Sequence, residues 1–341
     1  MTERSSVKLA RTATLIMILL AAIFLIYGAD PSFDNYYSFG DDGDPVAINE
    51  TTFPDETFRN DVSEEFDTDN DGQLSADEIS EVTEINVSYE DIETLKGIEY
   101  FTAITYLDCS ENDLTQLDVS KNTSLKELNC NNNKLTALDV SKNTVLEILN
   151  CSSNKLTALD VSENTSITDL NCSNNKLMAL DVSENTSITD FNCSYNKLSQ
   201  LDVSKNTALE VLDCRSNDLT QLDVSKNISL TQLYCSENNL TQLDVSKNTA
   251  LVWLYCSNNN LTHLDISKNT VLEHLECEGN IGGITVNDQG QCDLAEIDGF
   301  DVSKASNWSG GTLDGTTLTP SADKVTYDYD CGNDKSATFT L

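Results

Sequence analysis

Apolar residues recur along most of this chain with a fixed beat. In LNCNNNKLTALDVSKNT, Leu128 to Thr144, they fall at Leu128, Cys130, Leu135, Leu138 and Val140. The beat returns every 21 residues and is marked by Cys109, Cys130, Cys151, Cys172, Cys193, Cys214, Cys235, Cys256 and Cys277. In an extended segment alternate side chains point to opposite faces, so Leu128 and Cys130 share one face and Asn129 takes the other. Each period therefore holds one strand-like piece ending in LxC and another ending in LDV. One such turn cannot bury its apolar side alone, and neighbouring turns must stack into a solenoid with a continuous core. The pattern predicts a repeat solenoid over residues 85–286 with parallel β-strands on one or both faces. At ~4.8 Å between strands, about ten rungs would extend roughly 50 Å.

The segment LNCNNNKLTAL fits the pattern LxxLxLxxNxL with cysteine in the third apolar position, and LTALDVSKNTVL fits almost the same pattern. The chain thus resembles the bacterial leucine-rich-repeat proteins, in particular the class with a 21-residue period. One earlier rung places Val87 22 residues before Cys109, a spacing similar to the internalin type. The stretch EGNIGGITV after Cys277 reads as a worn last rung.

This periodicity explains the cysteines. Eleven in an exported chain suggest disulfides. On stacked in-register strands, however, side chains point in parallel and not at one another, so the ladder cysteines are expected as buried free thiols. Cys292 and Cys331 lie outside the ladder and are candidates to pair with each other. A column of asparagines, Asn112 and every 21st residue to Asn280, is expected to satisfy backbone groups at the solenoid corner. A column of aspartates, Asp118 to Asp265, needs its mutual repulsion offset. Lysines three residues on, such as Lys121 and Lys142, or divalent cations along the row are the two candidates. Glu163 and Glu184, in lysine positions, mark the middle of the row.

Ahead of the repeats stands DTDNDGQLSADE, Asp67 to Glu78, which matches the calcium-loop pattern D-x-D-x-D-G-x5-E. Calcium takes six to eight hard oxygens, and this spacing offers Asp67, Asp69, Asp71, the Gln73 main-chain carbonyl and a bidentate Glu78. Gly72 permits the sharp turn. Phe58, Val62 and Phe66 give an entering helix an apolar stripe, and Ser75 with Glu78 forms a capping-box pattern for an exiting one. The segment is similar to the EF-hand family, but as a single copy its expected role is to close the open end of the solenoid over residues 49–84, with Ca2+ as cofactor. The order of FPDETF, calcium loop, LKGIEYF and repeats resembles a group of surface proteins of Gram-positive bacteria.

The ends complete the plan. Arg4, Lys8 and Arg11 precede an uncharged run from Thr12 to Ala29, so residues 1–29 read as a signal peptide or an uncleaved transmembrane anchor, and both place the remainder outside the cell. Residues 30–48 form an acidic linker. Alternating Thr, Val and Tyr with glycine turns predict a small β module over 287–341. With 57 acidic and 20 basic residues the net charge is -37, which excludes nucleic acid as a partner and leaves the membrane only to the N-terminal segment.

The chain has two histidines and none of the HExxH, GxSxG or phosphate-loop patterns, so no enzymatic activity is expected. Function is sought where the repeats vary, at the outward positions on either side of the central leucine of each LxC strand. Near the end of the array these become Tyr234, Trp253, Tyr255 and His274, a candidate patch for a protein or carbohydrate ligand at a cell surface. Strand packing among the aromatics is the competing explanation. A spacer that presents the C-terminal module is the alternative role.

Overall fold

The computed structural model describes residues 44–341, of which 45–341 form one compact unit. The expected export segment and the linker up to residue 43 lie outside the described residues. Among those described, no helix is long and apolar enough to cross a membrane.

A small helical cap comes first. Helix α1 (Glu56–Glu65) starts where Asp55 accepts the Phe58 N–H, and it buries Phe58 and Val62. Helix α2 (Ala76–Glu81) starts with the capping box read from the sequence, Ser75 and Glu78 each accepting the other's backbone N–H. Strand β1 (Val46–Ala47) pairs antiparallel with β2 (Gln73–Leu74) and ties the loop to the incoming chain. The cap closes on the first turn through Phe53, whose ring meets Phe58, Tyr100 and Phe101 at centroid distances of 5.8, 6.0 and 6.3 Å. Gly97 is required there. Its φ is +109°, and a Cβ would lie 2.2 Å from the Phe53 ring.

The solenoid follows as one ten-stranded parallel sheet, from β3 (Glu84–Asn86) to β12 (His274–Glu276), in chain order and strict register. Leu128 pairs with Leu149, and Leu149 with Leu170. From β4 (Tyr106–Asp108) to β11 (Trp253–Tyr255) the central apolar residue of every strand is 0% exposed, as is the cysteine that follows it. At ~1.5–3 kcal/mol for each buried leucine-sized side chain, this stack is the main stabilising term.

The asparagine column closes the corner as expected. Asn154 donates from Nδ2 to the carbonyls of Cys130, Cys151 and Ser152 and accepts the Leu135 N–H at 3.0 Å. The residue before each such asparagine takes a left-handed φ, near +55° from Glu111 to Asn258 and +71° at Gly279.

The LDV half of each turn differs from a strand. Only the bridge Asp118↔Asp139 occurs there, so strands lie on one face of the solenoid. The reason is local. Each aspartate accepts the N–H of the serine two residues on, as Asp139 does from Ser141 at 2.9 Å, and this turn interrupts the ladder. The same bond, ahead of Lys142, holds the Asp139 carboxyl below its ordinary value, so at this position serine offsets the charge more than the lysine does.

The C-terminal residues form two three-stranded sheets. One joins β13 (Cys292–Asp293), β16 (Thr317–Pro320) and β15 (Gly311–Asp314); the other joins β14 (Ala305–Ser309), β17 (Thr326–Gly332) and β18 (Lys335–Thr340). Their buried Phe300, Tyr327, Tyr329 and Phe339 are continuous with the solenoid core. The proposed pairing of Cys292 with Cys331 does not occur. Both thiols are free: Cys292 is half-buried on β13, while Cys331 is buried on β17, where its thiol donates to the Tyr329 carbonyl at 3.6 Å.

Candidate functional site

The outward face of the sheet is polar for most of its length. Asn150, Asn171 and Asn192 turn their amide oxygens back to the serine two residues on, whose N–H and hydroxyl both donate to them. Little on these rungs is left to anchor a partner. The character changes at β10 (Gln232–Tyr234). Parallel register sets Tyr234 beside Tyr255 and Trp253 beside His274. Tyr234 and Tyr255 meet edge to face at 5.2 Å, Trp253 and Tyr255 lie tilted at 6.2 Å, and Trp253 stacks on His274 at 3.8 Å. The four expected patch residues thus form one contiguous aromatic surface over three rungs.

Its flank is charged. Arg215 sits 5.2 Å from the Tyr234 ring centre and makes a two-pronged ion pair with Asp213, at 3.0 and 2.6 Å. Farther along the face, burial raises the carboxyl pKa values of Asp169 and Asp190, and for Asp190 the neighbouring Asp169 and Asp213 add to the effect.

At the opposite end of the solenoid, the loop between α1 and α2 gathers carboxylate oxygens. Carboxylate oxygens of Asp67, Asp69 and Asp71 lie within 4.8 Å of one another. Asp67 is buried and accepts the N–H groups of Asp71 and Gly72, a bonding pattern that shapes the loop around it. Desolvation and then the Asp71 carboxylate push the Asp69 carboxyl up. Ile48 bonds the Gly72 carbonyl, and strand alternation turns the next carbonyl, that of Gln73, the other way. Glu78 is placed differently from the rest. Its Oε1 accepts from the Thr68 N–H and hydroxyl, and its Oε2 from those of Ser75, which together hold its pKa down at about 2.

With this geometry in hand, the relatives are informative. A family model described as Leucine Rich repeat matches residues 152–170 and 257–273. Internalin J of Listeria monocytogenes serotype 4b is 41% identical over 71 residues, 21% of this chain and 8% of that protein. The solved functional domain of InlJ from Listeria monocytogenes, described as including a cysteine ladder, is 40% identical with a TM-score of 0.67. The chain is similar to the internalins and shares their leucine-rich-repeat solenoid. The InlJ match covers 71% of this chain and 54% of that one, so the chain spans about half of the related domain. The internalin InlF of the same species, at 21% identity and a TM-score of 0.56, shares the fold.

The internalin-like array holds features that the repeat reading did not single out. A second asparagine column, Asn122 to Asn269, is 0% exposed. Each Nδ2 donates to two carbonyls of the preceding turn, as Asn185 does to Val161 and Asn164, while each Oδ1 lacks a protein partner. The signal was present in the invariant N of DVSKN. The C-terminal module also imitates a further rung. Asn333 donates to the carbonyls of Ile266 and Asn269, the bonds the next asparagine of that column would make. The Cys331 carbonyl accepts from Ile266, and Thr340 bridges to Ile281. His263, the second histidine, is taken up by this junction; it packs against Phe300 and Tyr329, and burial lowers its pKa.

Proposed function

We propose that this protein is an exported cell-surface binding module, and that its partner is a protein with a basic docking segment that meets the sheet at Tyr234, Trp253, Tyr255 and His274. The observation that carries this reading is the contiguous aromatic surface on three successive rungs of a face that is mainly amide and carboxylate over the preceding ones. Clustered aromatics beside charged groups are the usual anchors of protein interfaces. The likeness to Internalin J supports export, and the net charge of -37 favours a basic partner. A glycan is the weaker choice, because Trp253 and His274 already cover one ring face of each other. The spacer role is weaker too, since the C-terminal module shares the solenoid core.

In the same reading Ca2+ is held at the N-terminal loop by Asp67, Asp69, Asp71 and the Gln73 carbonyl, and it stabilises the cap. Three carboxylates this close are costly without a cation, and hard oxygens are the donors calcium takes. Glu78 joins them only by giving up its bonds to Thr68 and Ser75. The test of the patch is the double variant Trp253→Ser with Tyr255→Ser, assayed on peptide and glycan arrays against the unaltered chain. Loss of binding with an unchanged melting temperature supports the patch, and undiminished binding sinks it. For the metal, calcium should raise the melting temperature of the chain but not that of an Asp67→Asn, Asp69→Asn variant.

A further inference from the structure

The imitation of a further rung by the C-terminal module is incomplete. The module fills the LDV side of that rung with Cys331 and Asn333, and its corner with Thr340, but it leaves the strand position of the sheet empty. Strand β12 is the last of the ten and pairs only with β11. Strand β18 is the edge of its own sheet and pairs only with β17. The two converge where Thr340 bridges to Ile281 and part toward the β18 start, where Lys335 Nζ bonds the Glu273 carbonyl at 3.3 Å. Between them run two adjoining clefts, of about 630 and 500 Å³, which share Leu275 and Ser336 in their walls.

Both walls are unsatisfied strand edges. On β12, His274 and Glu276 face β11, so alternation points the Leu275 N–H and C=O into the cleft. On β18, Leu341 bonds Val325 in both directions, so Phe339 and Ala337 face β17, and the N–H and C=O groups of Thr338 and Ser336 point outward. The apolar floor is open as well. Leu275 is half-exposed, whereas its equivalents on the eight preceding strands are 0% exposed because the next rung covers each of them. The charge around the opening is negative: Glu273, Glu276, Glu278 and Asp334 are exposed, with Lys335 as the cation among them.

We infer that this slot is a strand-acceptor site, which takes one extended segment of a basic partner polypeptide as an added strand between β12 and β18. The incoming backbone satisfies Leu275 on one side and Ser336 and Thr338 on the other. One of its apolar side chains covers Leu275, and its outward basic side chains meet Glu276 and Glu278. Backbone pairing supplies affinity in such strand addition, and alternate side chains supply selectivity. A second copy of this chain is disfavoured as occupant by its net charge of -37. The inference goes beyond the aromatic patch: Tyr255 and His274 reach the rim of the smaller cleft, but Tyr234 and Trp253 line neither cleft.

The test uses the full chain and a synthetic peptide of roughly ten residues that alternates valine and arginine, long enough for one strand. The expected result is saturable binding by calorimetry, with slowed amide exchange at Leu275, Ser336 and Thr338. The same peptide methylated at alternate backbone nitrogens should bind about tenfold more weakly or worse, the loss of one or two hydrogen bonds, and a valine–glutamate peptide should not bind. Ser336→Pro should weaken binding in the same way, and proline is tolerated at an edge position whose N–H faces outward. Peptide binding should persist in Trp253→Ser, which separates this site from the patch. No binding of the valine–arginine peptide, equal binding of the methylated one, or protection away from β12 and β18 would overturn the inference. So would dimerisation of the chain through this edge.

Discussion

The two asparagine columns lie in the same turns, and the hydrogen bonds around them predict different worth. Asn175 is 9% exposed, and its Nδ2 donates to the carbonyls of Cys151, Cys172 and Ser173 at 3.0–3.2 Å while its Oδ1 accepts from Leu156 at 2.9 Å. In Asn175→Ala the buried Leu156 N–H is orphaned, at about 1–3 kcal/mol, and the lost carbonyl bonds bring the total to roughly 3–4 kcal/mol. Asn185 is more deeply buried, at 0%, yet it makes two bonds and already carries an orphaned Oδ1. In Asn185→Ala the loss of two bonds, about 2 kcal/mol, is partly offset by removal of that orphan, for a net cost near ~1 kcal/mol. Urea unfolding followed by far-ultraviolet circular dichroism measures both. Burial alone predicts the opposite order, so an Asn185→Ala cost equal to or above that of Asn175→Ala would refute the hydrogen-bond account.

Further outcomes follow from the thiols, the N-terminal cap and the metal loop. A thiol reagent should label Cys292 alone in the native chain and all eleven cysteines after denaturation, because the other ten are buried. The Glu78 carboxyl lies lower in the folded chain, at about 2, than its ordinary value of 4.5. Its contribution to cap stability is therefore complete above pH 4.5 and lost as the pH falls toward 2, which amide exchange at Thr68 and Ser75 will report. Gly97→Ala should lower the melting temperature markedly through the clash with Phe53, with little change in thiol labelling of the distant ladder.

Much of this fold was legible because the repeat states its own register. Nine cysteines in phase fix which residues face inward, and Leu128, Cys130 and Asn154 are placed as read. The aromatic patch was legible for the same reason, since Trp253 and Tyr255 stand at the two outward positions that vary from copy to copy, and Tyr255 at one that is Asn or Asp in most of them. The end of the array was not. Asn333 and Cys331 imitate a rung from within a β-hairpin, with no leucine spacing to announce it, so Cys331 read as a disulfide partner. The LDV half misled as well. Its apolar spacing matches a strand, but the aspartate–serine bond is a turn whose competition with the ladder shows only in three dimensions. At the metal loop the spacing placed Asp67, Asp69 and Asp71 together. It could not show that Glu78 spends both oxygens on Thr68 and Ser75.

The central claim is that binding resides on the outward sheet face at its C-terminal end. The most direct test applies the full chain and its Trp253→Ser, Tyr255→Ser variant side by side to a combined peptide and glycan array. The account predicts that the unaltered chain retains basic peptides and that the variant loses those that do not alternate apolar and basic residues, with both proteins melting at the same temperature. Identical binding by the two chains, or a preference of the unaltered chain for glycans over basic peptides, would contradict it.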